Sequence, residues 1–469
     1  MLDRTIAIGL LATVVFTALA HGAVEPWSVA VFELLIVVLI LLWGIKVIAE
    51  QRVTMRIPAV AMPVAALVVL GIVQSVAATG QSGERVSLSL DVEATRSALL
   101  VLFFLLVSLL IAANFFASRA RKLALANFLI VWGLAMALFA LVQHFTWNGR
   151  FYWLRTLTAE SAMPFGPFVN RNHFAGYMEM LAPLPVAMVL ARAPGRDVRL
   201  LYIFAAAMMA IAGIVSLSRG GMISLAGELV FIAVVSAGRV DVGGRRTAEG
   251  ENGLASSLFV PRPAALILLL AGVLVAGVFW IAPDTVVDRI TGQIAGREAR
   301  HAETFFISRG WIWRDTLAMI RANPLTGAGL GAYETAYPIY SQDDGAVALG
   351  RSYTVDRAHN DYLQVVAEFG VAGGALAGWF IVLIFRAVGR GAKSHDPLSR
   401  ALAIGGGAGI FGILIHSLVD FNLQLPSNAL LFLVLVATVS SIRTGSRKRK
   451  PEEKRVTRSA EAVDVAIGA

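Results

Sequence analysis

Three polar residues, His359, Asn360 and Asp361, stand directly before a long apolar run in the sequence HNDYLQVVAEFGVAGG. The unperturbed pKa of an imidazole is about 6.5, so a histidine at a water boundary can accept a proton at neutral pH and act as a general base. Asparagine and aspartate are common N-cap residues because their side chains accept hydrogen bonds from the first N–H groups of a helix. We therefore expect one of Asn360 and Asp361 to cap a helix. Capping does not explain why a histidine stands at position 359.

Arginines offer a second kind of chemistry. Arg219 lies in SLSRGG, a tight turn between two apolar runs, and Arg309 and Arg314 lie in FFISRGWIWRDTLAMIRANP. A guanidinium binds phosphate oxygens through paired donors, so arginines gathered at one membrane surface suit a diphosphate ligand. Singly, each arginine also suits the membrane interface as an anchor, and we favour that role for Arg314 and Arg321.

The elements that must position these side chains are membrane-spanning helices. The chain has 469 residues, 57% of them hydrophobic and 15% charged, and its mean hydropathy is +0.72. These values lie outside the usual range for a soluble globular protein. A membrane-crossing helix needs about 20 apolar residues. The sequence predicts an all-α polytopic membrane protein with twelve such helices, near residues 5–20, 28–48, 58–78, 97–116, 123–145, 174–191, 199–217, 221–237, 264–282, 360–385, 401–420 and 426–441.

The distribution of basic residues predicts the orientation. Most of the 40 Lys and Arg residues fall on the side of the predicted spans that holds both termini. Because cytoplasmic loops carry an excess of Lys and Arg, both termini are predicted to be cytoplasmic and His359 to lie at the outer side. Residues 1–20 also have features of a cleavable signal peptide, and cleavage would leave the later spans oriented as before. The basic tail 443–469 is interpreted as a stop-transfer flank that meets anionic lipid headgroups, not as a nucleic-acid-binding segment.

The segment 283–358, between the ninth and tenth predicted spans, is too long for a simple connection and is therefore a candidate functional element. It contains an amphipathic stretch with Phe306, Trp313 and Leu317 at helical spacing, which predicts a helix lying on the membrane. The glycines of LTGAGLGAYETAYPIY then predict a tight turn. We divide the chain into N-terminal transmembrane helices (1–150), a second membrane domain that includes this loop (151–442) and the tail (443–469).

Ionisable residues inside the predicted spans gather on the outer side. Glu33, Glu179, Glu368 and His416 all fall in the outer half of their spans, and only Glu228 falls near the middle of one. Charge in hydrocarbon is costly and usually faces a cavity or a partner, so a cavity open to the outer side is the simple inference. The alternative is that each group is hydrogen-bonded between helices. The sequence contains no cysteine, and no Asp-rich or His-rich spacing typical of metal ligands stands out.

At these residues the sequence resembles a known family. HNDYLQVVAEFGVAGG is similar to the signature of the bacterial O-antigen ligase and polymerase family, in which a His and a small polar residue precede Gly-x-x-Gly, here Gly370 and Gly373. RGWIWRDTLAMIRANPLTGAGLGAYETAYPIY resembles the family's Arg and Trp helix with Asn-Pro-Leu and Gly-x-Gly-x-Gly, and SLSRGG resembles its Ser-Arg-Gly turn. With HSLVDFNLQLPSN, the resemblance covers about residues 160–440. FVNRNHFAGY departs from the pattern of the best-known ligases.

The resemblance implies a metal-independent glycosyltransferase of the bacterial inner membrane, without a cofactor, whose GT-C-like fold presents the active site to the periplasm. Its donor would be a glycan on undecaprenyl diphosphate, and its acceptor would be a hydroxyl of a glycan or of lipid A core. Its other partners would be membrane lipids, and it would bind no nucleic acid. By position, His359 matches the family histidine that activates the acceptor, and Arg219 and Arg309 match the arginines that hold the diphosphate. The supporting candidates are Asn360, Glu368, Asn172, His173 and Asp420.

Three functions remain open at this stage. A polymerase would join repeat units of O-antigen or exopolysaccharide, and a ligase would pass the finished glycan to lipid A core or, less often, to a protein. The alternative from another class is a transporter or flippase for lipid-linked glycans. Such a transporter usually has related halves and broken helices with polar residues near the middle of the membrane. The polar residues of this chain gather at the outer ends of the spans instead, which favours an enzyme.

Overall fold

The chain folds as a helical bundle in a computed structural model, which describes residues 1–79, 85–156, 163–237, 297–342 and 355–442, together with Gly272. A short antiparallel hairpin pairs β1 (Ala77–Thr79) with β2 (Arg85–Ser87), and a 3-10 turn (Asn422–Gln424) precedes the last helix. The described helices are α1 (Leu2–Leu19), α2 (Pro26–Glu50), α3 (Ala61–Ser75), α4 (Val92–Phe115), α5 (Arg119–Phe145), α6 (Arg171–Leu181), α7 (Pro183–Leu190), α8 (Arg196–Val215), α9 (Arg219–Ala237), α10 (Arg297–Ala322), α11 (Tyr333–Tyr340), α12 (Asp361–Ala392), α13 (Pro397–His416) and α14 (Pro426–Ser440).

These helices confirm the prediction of an all-α polytopic membrane protein. Among the described residues, nine segments are long and apolar enough to cross a membrane, with α6 and α7 forming one of them, Arg171–Leu190. The apolar helices α3 and α14 are shorter. Apart from Gly272, the ninth predicted span, 264–282, lies outside the described residues, so the count of twelve spans stays a prediction.

The two ends of the bundle differ in charge. At one end, which we call the basic end, Asp3 pairs with Lys46 at 2.6 Å and with Arg121 at 2.7 Å, and Arg119 pairs with Asp396 at 3.3 Å. The opposite end, which we call the site end, contains the first residues of α6, α9 and α12 and the last residues of α13. Basic residues predicted to be cytoplasmic thus lie away from His359. Which side of the membrane each end faces stays a prediction.

The helix α13 occupies the centre of the bundle. It packs against α6, α7, α9, α12 and α14 and is buried along most of its length. Its small residues allow close approach, as is common between membrane helices; a Cβ at Gly409 would lie only 2.6 Å from the carbonyl oxygen of Met180. The helix α2, by contrast, exposes large apolar side chains, including Leu34, Leu41 and Ile48, as expected where a helix faces lipid.

The helix α12 is interrupted at Gly370, where φ is 66° and ψ is −165°. Only glycine adopts this conformation readily. The loop 323–332, which we call the glycine loop, lies against the break and supplies the hydrogen bonds that the helix cannot make for itself. These bonds run from the N–H of Ala328 to the carbonyl of Ala367 (2.8 Å), from the N–H of Gly329 to that of Glu368 (3.0 Å) and from the N–H of Val371 to that of Pro324 (2.8 Å).

A buried glutamine of α3 completes the junction. The Nε2 atom of Gln74 donates to the carbonyls of Thr326 at 2.6 Å and Glu368 at 2.8 Å, and its Oε1 atom accepts from the N–H of Leu330 at 3.1 Å. Backbone groups released by a break in a membrane helix need partners within the protein. The glycine loop and Gln74 provide them, and this fixes the first half of α12, which begins beside His359.

Candidate active site

The start of α12 shows which polar residue is the cap. The Oδ1 atom of Asn360 accepts from the N–H groups of Tyr362 and Leu363, each at 3.0 Å, while its Nδ2 atom donates to the carbonyl of Leu418 at 2.9 Å. Asn360 is therefore the N-cap. Asp361 is buried and has a different role, because its Oδ2 atom accepts from the hydroxyl of Ser417 at 2.7 Å. Both residues fasten the loop 417–425 to the first turn of α12.

His359 stands just before this cap and has neither role. Its backbone φ is 48°, a left-handed value that is uncommon for a residue with a side chain. Its ring packs edge-on against Phe421 with centroids 4.9 Å apart, and its Nδ1 atom lies 3.7 Å from the Oδ1 atom of Asp420. The side chain stays 22% exposed. The imidazole thus presents one nitrogen to a carboxylate and remains within reach of solvent.

Asp420 is almost fully buried and is held from several sides. The Nδ2 atom of Asn172 donates to its Oδ2 atom at 2.6 Å, and the N–H of Phe421 donates to its Oδ1 atom at 2.9 Å. Burial raises the pKa of Asp420, but the nearby imidazoles of His359, His173 and His416 lower it more, to well below its usual range. The carboxylate is therefore ionised at neutral pH and has a fixed orientation.

His173 lies on the same aromatic ring as His359. Its ring packs edge-on against Phe421 at a centroid distance of 4.8 Å, and only 7% of the residue is exposed. Its Nε2 atom is buried and has no hydrogen-bond partner among the described residues. The helix that carries it, α6, is capped by Asn170, whose side chain accepts from the N–H of Asn172 at 2.9 Å. Asn172 and His173 therefore lie beside His359 and Asp420, and their role in supporting the reaction stays a prediction.

Arg309 reaches the same loop from α10. It is 7% exposed, donates a hydrogen bond to the carbonyl of Val419, and lies 3.8 Å from the Oδ2 atom of Asp420. Its charge therefore lies beside the His359–Asp420 pair. Arg314, on the same helix, pairs instead with the adjacent Asp315 at 3.0 Å.

Arg219 is the first residue of α9 and is exposed. The turn before it is stabilised by Ser218, whose hydroxyl accepts from the N–H of Gly221 at 3.2 Å. The two glycines after it permit close contact with the site: a Cβ at Gly220 would lie 2.6 Å from the ring of His416, and a Cβ at Gly221 would lie 2.8 Å from the Cβ of Ala175. The sequence SLSRGG is thus explained by packing that places Arg219 beside α6 and the end of α13.

Glu368 is the one predicted supporting residue that lies away from His359. It is located at the break in α12, where its carboxylate accepts from Gln364 at 3.0 Å. Glu179 and His416 also differ from the expected open cavity, because they pair with each other at 2.9 Å and each is only 1% exposed. For these two groups, hydrogen bonding between helices is the alternative that the structure supports.

Comparison with known proteins bears directly on this site. Residues 204–378 match the family model described as O-antigen ligase. This segment is therefore similar to an O-antigen ligase domain. The matched range contains Arg219, Arg309 and His359, while Asn172 and Asp420 reach the candidate site from outside it. No curated protein matches the chain.

Sequence reasoning missed two residues, Gln74 at the break in α12 and Arg171 beside the candidate site. Gln74 stands alone in an apolar run of α3, and a lone amide in such a run is the signal that could have marked it. Arg171 is half-buried at the start of α6 and lies within electrostatic range of Arg219. Its position between Asn170 and Asn172 in FVNRNHFAGY was the available signal. Within the described parts of the chain, no group of three or more His, Asp or Glu residues is arranged to hold a metal ion.

Proposed function

We propose that this protein is a glycosyltransferase that moves a glycan from undecaprenyl diphosphate to an acceptor sugar hydroxyl at the periplasmic face of the bacterial inner membrane, with both termini in the cytoplasm. The observation that carries the proposal is the approach of His359 to Asp420, 3.7 Å apart, at an end of the bundle where Arg219 and Arg309 also lie. The O-antigen ligase match supports the same reaction class.

In this mechanism, His359 is the general base. Asp420 faces Nδ1, so it favours the tautomer with the proton on Nδ1 and leaves the Nε2 lone pair for the substrate. The acceptor oxygen attacks the anomeric carbon and transfers its proton to Nε2. The carbon–oxygen bond to the diphosphate breaks, and its electron pair leaves with the diphosphate. Direct displacement inverts the anomeric centre, and proton transfer of this kind typically contributes about 100- to 10,000-fold to the rate.

The two arginines of the candidate site act on the negative charge of the diphosphate leaving group. The transition state resembles an oxocarbenium ion, and a diphosphate leaving group needs less acid assistance than a sugar oxygen because it is weakly basic. Arg219 and Arg309 stabilise the negative charge that develops on it. We propose that the two guanidinium groups make the reaction independent of metal ions. A chelator such as EDTA should leave the transfer rate unchanged, and a loss of rate that magnesium restores would contradict this part of the mechanism.

The break in α12 does not favour a transporter. In transporters, a broken helix leaves backbone groups that bind the substrate. Here the backbone groups at Gly370 bond to the glycine loop and to Gln74. The polar residues of the candidate site lie instead around the loop 417–425, at the end of the bundle where α6, α9 and α12 begin.

The function can be tested with the full-length protein in liposomes. The donor is a defined glycan on undecaprenyl diphosphate, and the acceptors are the same repeat unit and a lipid A core oligosaccharide, supplied separately. A new glycosidic bond with release of undecaprenyl diphosphate is expected for one of the acceptors, which decides between polymerase and ligase. Movement of the intact donor across the bilayer, without any glycosidic product from either acceptor, would overturn the proposal in favour of a flippase.

A further inference from the structure

A buried acid–base pair lies directly beneath the turn that carries Asp420. His416 is the last residue of α13, and its Nδ1 atom lies 2.9 Å from one carboxylate oxygen of Glu179 on α6 and 3.2 Å from the other. Each side chain is 1% exposed. The helix α9 closes over the pair, because a Cβ at Gly220 would lie 2.6 Å from the imidazole and a Cβ at Gly221 would lie 2.9 Å from the carboxylate. Neither side chain therefore has room to turn away from the other.

The backbone of His416 holds the turn in which Asp420 lies. Its carbonyl accepts hydrogen bonds from the N–H of Val419 at 2.9 Å and from the N–H of Asp420 at 3.0 Å. These two bonds close the turn that follows α13, so the position of His416 decides where the side chain of Asp420 begins. Although burial raises the pKa of Asp420, the imidazole of His416 is among the groups that lower it. His416 therefore influences Asp420 both through the backbone and through space.

One face of α6 contacts this turn at three levels. Asn172, Gly176 and Glu179 follow one another at intervals of four and three residues, the spacing that places side chains on the same face of a helix. The Nδ2 atom of Asn172 donates to the Oδ2 atom of Asp420 at 2.6 Å, and a Cβ at Gly176 would lie 2.5 Å from the Oδ1 atom of Asn422. Glu179 binds the imidazole at the end of α13. This face thus meets the chain before, at and after Asp420.

Stability alone is a weak reason for such a pair. Replacement of a buried polar pair by well-packed apolar side chains is often neutral or stabilising. A polar pair does impose one geometry, because either partner left alone would be a buried group without a hydrogen bond. Glu228 of α9 provides a contrast: it is 2% exposed, and it packs against Gly412 of α13, one turn deeper than His416. A buried carboxyl in this bundle thus need not contact the turn that carries Asp420, whereas Glu179 does so through His416.

We propose that Glu179 and His416 are positioning residues, which fix the turn 417–420 on α6 and thereby hold the carboxylate of Asp420 toward His359. This assignment rests on the proposed function, in which Asp420 orients the base. Both side chains are buried away from any substrate, so their effect on the reaction passes through Asp420. Loss of the pair should therefore lower kcat for transfer and leave the KM values for donor and acceptor near those of the wild type.

The first experiment compares Glu179→Ala, Glu179→Gln and Glu228→Ala in full-length protein reconstituted in liposomes. Glu228→Ala is the matched control, because it removes a similarly buried carboxyl and should also lower the thermal midpoint. For Glu179→Ala we expect kcat to fall about tenfold or more, as for the misplacement of an orienting group, with both KM values near wild type. Glu179→Gln keeps one oxygen facing His416 and should recover most of the rate.

The control decides between positioning and packing. In Glu228→Ala, kcat per folded molecule should equal that of the wild type, although the protein is less stable. Equal kcat values in Glu179→Ala and Glu228→Ala would overturn the proposal and leave the Glu179–His416 pair as a packing contact.

A double variant tests whether the pair acts through Asp420. If it does, adding Glu179→Ala to Asp420→Asn should lower kcat little further, because the two substitutions remove the same effect. Rate losses that multiply in the double variant would show that Glu179 acts elsewhere and would reject the assignment.

A further measurement needs no turnover. Hydrogen–deuterium exchange of the purified, reconstituted protein should show a loss of protection in the segment 417–420 for Glu179→Ala but not for Glu228→Ala, because the amides of Val419 and Asp420 lose a fixed acceptor. Wild-type protection of this segment in Glu179→Ala would overturn the proposal. Loss of protection in a protein whose wild type transfers no glycan to either acceptor would reject the proposed function, while the attachment of the turn to α6 would stand.

Discussion

The Nδ1 atom of His359 lies 3.7 Å from the Oδ1 atom of Asp420, and the two residues come from different connections of the bundle. His359 precedes α12, whereas Asp420 follows α13. Their approach is fixed by Asn360, which caps α12 and also donates to the carbonyl of Leu418. One asparagine thus sets both the start of the helix and the position of the carboxylate-bearing loop.

Replacement of Asp420 by Asn should separate its role in catalysis from its role in stability. The nearby imidazoles of His359, His173 and His416 lower the folded-state pKa of Asp420 despite its burial. A depressed carboxyl pKa stabilises the folded protein at neutral pH, and that contribution is lost as the pH falls below about 4. We expect Asp420→Asn to lower the thermal midpoint at pH 7, to flatten its decline between about pH 5 and pH 3, and to reduce the transfer rate.

The control for this prediction is Asp197→Asn, which changes an exposed carboxylate in the first turn of α8. It should leave the transfer rate and the acid dependence of the thermal midpoint as in wild type. Wild-type rates in Asp420→Asn would show that His359 does not need this carboxylate.

The break in α12 should require glycine. A Cβ at Gly370 would clash with the carbonyl group of Leu325, and the positive φ is itself unfavourable for alanine. Gly370→Ala should therefore lower the thermal midpoint and the amount of protein in the membrane, by at least the roughly 1 kcal/mol expected for strain of this kind. Gly378→Ala, on the same helix with no heavy atom within 4 Å of the added Cβ, is the matched control and should be neutral or slightly stabilising. Equal stability of the two variants would contradict the account of the break.

The predicted orientation can be measured with fusions. A reporter that is active only outside the cytoplasm should be active when fused after Asp343 and silent when fused after Gly250, because most basic residues lie on the side of the termini. The basic end and the site end of the structure lie at opposite ends of the same helices, as this requires. Reversed reporter activities would place His359 in the cytoplasm and exclude a periplasmic donor.

Local sequence patterns predicted the helices well because each span is long and apolar enough to be recognised alone. The tight turn before Arg219 and a cap at the start of α12 were also predictable, because the residues that indicate each of them lie within a few positions of one another. The sequence did not show that Asn360 is the cap and Asp361 is not, because Asp361 accepts a hydrogen bond from Ser417, which is far along the chain.

The rest of the site depends on contacts that no local pattern contains. The sequence predicted Glu368 as a supporting residue because it lies in the same span as His359. In the structure Glu368 lies at the break in α12, where its carbonyl accepts hydrogen bonds from Gln74 and from Gly329 of the glycine loop. Arg171 comes within electrostatic range of Arg219 only because α6 and α9 begin side by side. Such relationships arise from tertiary packing between helices, and one sequence read alone does not show them.

The central claim is that His359 is the base, and His359→Asn tests it most directly. Asparagine tolerates the left-handed backbone found at this position, where φ is 48°, but cannot accept the acceptor's proton. His359→Ala serves as the companion variant, in which the side chain is lost altogether. In purified, lipid-reconstituted protein with a defined donor and acceptor, we predict that His359→Asn keeps the wild-type thermal midpoint and loses about 100-fold or more of the transfer rate. Wild-type specific activity in His359→Asn would contradict the account.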